Sequence, residues 1–370
     1  MRGRPHVGLR NDNSFGPRSN RDDPDSFAHE CTFAGPNMGW TEQNRRPDVR
    51  SFEVGSHLEM ASEPKIVVFD VAGGSRQIRA AGLYATLSDY WALTKPEVNF
   101  LILITTFAGF YLASAVGPSG FRILPLINTL LGTLLVAGGT GTLNQFLERS
   151  FDAQMRRTAR RPLASGRLNA SHVLRFGISL SMLGAVYLAL AVNVLTSVLA
   201  VTTLVTYLVL YTPLKRKTPL CTLIGAFPGA VPPLIGWAAA RGRLDPAAWV
   251  LYAIVFLWQF PHFMAIAWMY REDYSRAGYL VLPAGKLRNR FVNWQSFVVS
   301  LVLVPVSLIP TIGGGSGLVY SGGALFLGSI LLYYSARFAF RKSNVAARQL
   351  LAASIIYLPL VFIVMVLSKK

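Results

Sequence analysis

Asn144, Glu148 and Asp152 stand four residues apart, and all three carry oxygen atoms that can bind a hard cation. In an α-helix each step of four residues drifts by only about 40°, so the three side chains share one face. Mg²⁺ takes such oxygens one or two at a time and completes its shell with water and substrate phosphates. Arg156, Arg157, Arg160 and Arg161 follow directly, and guanidinium groups take phosphate oxygens in pairs. Acids on a helix face followed by a cluster of arginines form a pattern suited to a Mg²⁺-bound diphosphate. A solvated helix end, with the acids paired to nearby arginines, would carry the same letters. Asn144, however, stands against a dense apolar run.

A second polar group interrupts another apolar run, at Trp258-Gln259-Phe260-Pro261-His262-Phe263, and continues to Asp273-Tyr274. Ionisable groups at membrane depth cost at least about 2.5 kcal/mol each on insertion scales, so His262 needs a reason. It is either a hydrogen-bonded structural group or, with Gln259, a contact for a polar substrate. Asp273 either supplies a second carboxylate facing the first array or pairs with Arg271 or Arg276. Between the two sites lies Tyr211-Thr-Pro-Leu-Lys215-Arg216-Lys217, a basic loop that suits a membrane surface or a diphosphate pocket. Lys95, with Asn99 close by, opens the first apolar run, where it either snorkels to the interface or faces the same pocket.

The elements that must position these groups are membrane helices. Of 370 residues 52% are hydrophobic and 15% charged, and the mean hydropathy is +0.39, too apolar for a soluble globule. Nine apolar stretches of roughly twenty residues, the length that crosses the hydrocarbon, fall near 98–117, 121–143, 172–192, 194–213, 219–240, 247–269, 294–313, 318–338 and 349–367. Only Asn193 separates the third from the fourth, which predicts a tight hairpin. An all-α polytopic bundle follows, since nothing shows the alternating strands of a barrel. The net charge of +18 sits in short clusters between apolar runs, which argues against nucleic acid. Those clusters follow the second, fourth, sixth and eighth stretches, predicting a cytoplasmic N-terminus and an outside C-terminus. Cys31 and Cys221 form no pair readable as a disulfide framework or metal motif.

Residues 1–85 are polar, rich in Arg, Asn, Gly and Pro, and predicted to be disordered. Met38 and Met60 offer alternative starts. Residues 86–370 form the membrane domain.

Several separate stretches then carry a resemblance. Leu93-Thr-Lys95-Pro96, the Asn144, Glu148, Asp152 array with Met155 and Arg157-Thr158, and Arg161-Pro-Leu163 are three of them. Tyr211-Thr212 with Leu214-Lys215-Arg216, Trp258-Gln259 with Pro261-His262-Phe263, and Asp273-Tyr274 with Gly278 and Leu282-Pro283 complete the set. In this order they resemble the protoheme IX farnesyltransferases, or heme O synthases, of the intramembrane UbiA prenyltransferase superfamily. The resemblance covers roughly residues 90 to 368 and not the polar tail. It implies a nine-helix bundle in the inner membrane around a lipid-open cavity, with two acidic motifs holding Mg²⁺-bound farnesyl diphosphate. It also implies protoheme IX as a substrate rather than a cofactor, and a heme A synthase or terminal oxidase as a downstream partner. Glu148 within the first motif, and His262 with Asp273 in place of closely spaced aspartates in the second, depart from the superfamily's usual pattern.

Two other readings share some of these features. A relative acting on a quinone precursor or a chlorophyllide would keep the Asn144 array, but the Trp258 to Phe263 segment argues against it. A secondary transporter would also show polar breaks, and Pro228, Pro232 and Pro233 suit a broken helix. The polar sites nevertheless all approach one face, and no inverted repeat is evident.

Overall fold

The computed structural model describes residues 71–115, 122–283, 285–312 and 317–369. The earlier part of the polar tail, with Cys31, Met38 and Met60, lies outside the described residues. Within them the chain is helical and has no β-strand, because a backbone crossing hydrocarbon must satisfy its hydrogen bonds within its own segment. Among the described residues nine helices are long and apolar enough to cross a bilayer. Large apolar side chains such as Leu190 and Leu318, 84% and 91% exposed, are then lipid-facing rather than misplaced.

Helix α1 (Val71–Leu93) precedes the nine and begins ahead of residue 86, where order was expected to start. Leu83, Leu87 and Trp91 recur at four-residue spacing, a helical period that the average composition of the tail conceals. The crossings are α2 (Pro96–Ala113), α3 (Ile123–Asp152), α4 (Ala170–Ala191), α5 (Val194–Leu214), α6 (Cys221–Arg241) and α7 (Pro246–Met269). After the short α8 (Arg271–Arg276) come α9 (Gly285–Thr311), α10 (Leu318–Arg341) and α11 (Asn344–Leu367).

Local chemistry explains the breaks. Asn193 caps α5, its Oδ1 accepting from the Thr196 amide at 2.9 Å, while its Nδ2 donates to the Ala238 carbonyl at 2.9 Å. The single polar residue between two apolar runs is therefore a helix start, and the hairpin forms there. Prolines interrupt α6, whose first half ends at Gly229 and whose second begins at Pro232. Helix α9 starts at Gly285 rather than near 294, because its first turns are polar and escape a hydropathy reading.

Small residues bring the helices close. A Cβ on Gly139 of α3 would run into Ser181 and the Gly177 carbonyl of α4, and one on Gly236 of α6 would strike the backbone of Thr106 on α2. Glycine at these points lets backbones touch, the usual device where lipid supplies no hydrophobic drive between helices. Beyond these contacts, the apolar core centres on α7 and α11, with Ile254, Met264, Leu350 and Val361 fully buried.

Candidate active site

Helix α3 stays regular through Asp152, well past the apolar run that ends near residue 143, and so its three polar residues do share a face. Asn144, Glu148 and Asp152 are 1%, 6% and 1% exposed, which rules out a solvated helix end. Each meets a partner from a different part of the chain. Asn144 accepts from Lys95 Nζ at 2.7 Å and donates to Thr212 Oγ1 at 3.2 Å. Glu148 Oε1 pairs with Lys215 Nζ at 2.8 Å. Asp152 Oδ2 pairs with Arg161 at 2.8 Å, and its main-chain carbonyl accepts from Thr158 at 2.9 Å.

The turn after α3 joins the two acidic regions. Asp273, on α8, accepts from the Arg157 amide at 3.3 Å and pairs with Arg276. It therefore meets the turn that follows the first array and also makes one of the ion pairs open to it in sequence. The Arg157 guanidinium lies 4.8 Å over the Tyr270 ring, and Arg216 lies 4.4 Å over Phe151. The Leu280 amide donates to the Lys215 carbonyl at 2.7 Å, which ties the basic loop to the segment beyond α8. Arg156 and Arg160 remain exposed.

Lys95 reaches Asn144 from an unusual backbone. It occupies the left-handed region at φ 56° immediately before Pro96, a conformation costing about 1–3 kcal/mol for a non-glycine residue. That geometry turns its ammonium inward to Asn144, and the snorkelling alternative does not occur. Burial, and then the positive charge of Arg161, pulls the Lys95 ammonium down to about 7. An anion brought to this cluster would favour the charged form.

Among the described residues no three His, Cys, Asp or Glu side chains converge into a metal cage. Asp152 Oδ1, however, is buried and has no hydrogen-bond partner. A hard oxygen held bare in this way suits a cation such as Mg²⁺ that draws its other ligands from water and a diphosphate. Tyr279 is buried as well, and its hydroxyl approaches Glu148 without completing a hydrogen bond of normal geometry. Burial, reinforced by Glu148, pushes that hydroxyl well above the ordinary tyrosine range, so it stays protonated and able to donate.

Residues 102–363 match the family model described as the UbiA prenyltransferase family. The chain belongs to that family. It is 46% identical over 289 residues to the protein of Solibacter usitatus named protoheme IX farnesyltransferase, an alignment covering 76% of this chain and 99% of that one. Solved structures share the UbiA fold at low identity. A structure described as that of digeranylgeranylglyceryl phosphate synthase overlays with a TM-score of 0.63 at 18% identity, covering 76% of this chain and 98% of that one. A UbiA homologue from Archaeoglobus fulgidus bound to GPP and Mg²⁺ overlays at 0.52 and 16% identity, covering 75% and 99%.

Within this UbiA bundle His262 and Gln259 sit apart from the charged cluster. Gln259 donates to the Ala226 carbonyl at 3.1 Å and fills the space beside Gly229. His262 meets Ser354 on α11 at 2.9 Å. Thr212, Thr158 and Tyr279 belong to the charged cluster by contact. Thr212 and Thr158 were legible only as parts of the family pattern, because a threonine carries no charge signal of its own.

Proposed function

We propose that this chain transfers the farnesyl group of farnesyl diphosphate to a vinyl group of protoheme IX, with addition of water, giving heme O and diphosphate. The likeness to the Solibacter protein over nearly its whole length carries this reading. The bond between farnesyl C1 and the diphosphate oxygen breaks, its electron pair leaving with diphosphate. The vinyl π pair then forms the new carbon–carbon bond. Water adds to the resulting cation and loses a proton.

Each group in the charged cluster has a task in that sequence. Lys95, Lys215, Arg157 and Arg161 offer positive charge to diphosphate as its leaving oxygen gains negative charge, an interaction strengthened by a water-poor setting. Arg156, Arg160 and Arg216 extend the positive field outward, where the donor arrives. Asp152, Glu148 and Asp273 would hold Mg²⁺-bound diphosphate by way of the metal, and Asn144 positions Lys95. When bound, Mg²⁺ supplies Lewis-acid neutralisation of the departing diphosphate. Gln259 and His262 serve the acceptor. The apolar bundle keeps water from the farnesyl cation until the new bond has formed.

The excess of arginine and lysine in alternate loops supports an orientation with the charged end of the bundle on the cytoplasmic side of the inner membrane and the C-terminus outside. Heme O would pass to a heme A synthase or a terminal oxidase in the same membrane. The test is to give membranes containing this chain protoheme, farnesyl diphosphate and Mg²⁺, and to weigh the pigments after chromatography. A Mg²⁺-dependent product heavier than protoheme by one farnesyl group and one water is expected. Its absence from correctly inserted protein would overturn the reaction.

A further inference from the structure

His262 and Asn144 each lie about two turns inside the helix end that carries the charged cluster, on α7 and α3. The two side chains are thus a similar number of turns from that end, yet their surroundings differ. The imidazole of His262 stacks on Trp258 at 4.8 Å and 27° and meets Phe263 edge-on at 5.6 Å. Trp258 is anchored to the residue that holds His262, its Nε1 donating to the Ser354 carbonyl at 2.7 Å.

The Ser354 hydroxyl lies 2.7 Å from the Leu351 carbonyl and 2.9 Å from His262 Nδ1. The carbonyl can only accept, so the tautomer protonated on Nδ1 is the one that satisfies both contacts at once, the hydroxyl donating to Leu351 and accepting from His262. In that tautomer Nε2 keeps a lone pair, and it has no hydrogen-bond partner among the described residues. Ser354 is wholly buried. His262 itself is only half-buried, so part of its ring stays accessible. A purely structural histidine at membrane depth would be expected to use both ring nitrogens. A neutral imidazole with one nitrogen held by a hydroxyl and the other without a hydrogen-bond partner has the chemistry of a ligand to iron.

We propose that His262 Nε2 coordinates the iron of the protoheme acceptor and that Ser354 is the positioning residue that orients it. The inference rests on the farnesyl-transfer reading above and deepens it. Coordination would hold the centre of the macrocycle at one position, and so set how far its vinyl groups can lie from that point.

The experiment uses the full chain, titrated with ferric protoheme and followed by its absorption spectrum, with Mg²⁺-dependent farnesyl diphosphate binding as the control for folding. The wild type is expected to give a histidine-ligated spectrum that is lost in His262→Ala while donor binding persists. Added imidazole should restore it in His262→Gly. Ser354→Ala should keep the histidine-ligated form but weaken binding by about tenfold, as removal of an orienting partner does at metal sites. A wild-type spectrum in His262→Ala, or no response of His262→Gly to imidazole, would overturn the proposal. Turnover measured on the same wild-type preparation separates the two readings. A His262-dependent spectrum without farnesylated product would overturn the reaction and leave ligation standing, whereas product with a His262-independent spectrum would overturn ligation alone.

Discussion

At the charged end of the bundle Glu148 and Asp152 are held by Lys215 and Arg161, each at 2.8 Å, whereas His262 is held by a hydroxyl and an indole that carry no charge. The difference matches the two substrates proposed for them. Diphosphate brings several negative charges, and a cluster of ion pairs can release its cations to meet it while its carboxylates turn to a metal. Protoheme is broad and largely apolar. It needs an apolar slot and one directional bond, and a charge buried beside it would cost more than it contributed.

The largest effect should come from breaking the charged side alone. Asp152→Asn preserves the shape of the side chain and removes the charge that Arg161 and a metal would share. It should lower kcat/KM by about 10²–10³, the scale of one lost electrostatic contact in a transition state. The protoheme spectrum of the variant should stay that of the wild type. A changed spectrum would mean that the two regions are one site and that the comparison fails.

Lys95→Met should have a smaller effect. A hydrogen bond to a charged group contributes about 1.5–3 kcal/mol, so KM for farnesyl diphosphate should rise by about ten- to a hundredfold while KM for protoheme holds. Steady-state kinetics with each substrate varied in turn would check this. A rise confined to protoheme would move Lys95 to the other region.

Smallest of all is Asn193→Ala, which removes a helix cap far along the chain from both sites. It should lower stability by about 1 kcal/mol, read as a shift in thermal unfolding in detergent, with both KM values unchanged. That variant sets the size of a purely structural effect. An effect on either KM as large as that of Lys95→Met would show that kinetic changes here do not discriminate between the regions.

Much of this was legible beforehand because membrane burial is written in composition. Apolar runs of the right length marked the crossings, Asn193 marked the hairpin as the polar break between two of those runs, and Asn144, Glu148 and Asp152 marked one helical face by spacing alone. The beginnings of α1 and α9 were missed because both are polar or mixed in character, and hydropathy finds only what is apolar.

Sequence by itself determined which residues carry charge at depth and that they recur at helical spacing, since both follow from residue type and the 3.6-residue turn. Tertiary structure alone decided their partners. Lys95 turns inward only because the backbone before Pro96 is left-handed, and Arg157 reaches Asp273 across more than a hundred residues of chain. The tautomer of His262 depends on where a serine on the last helix sends its single proton. Contacts of this kind depend on how helices lie side by side, and no local pattern of residues encodes that.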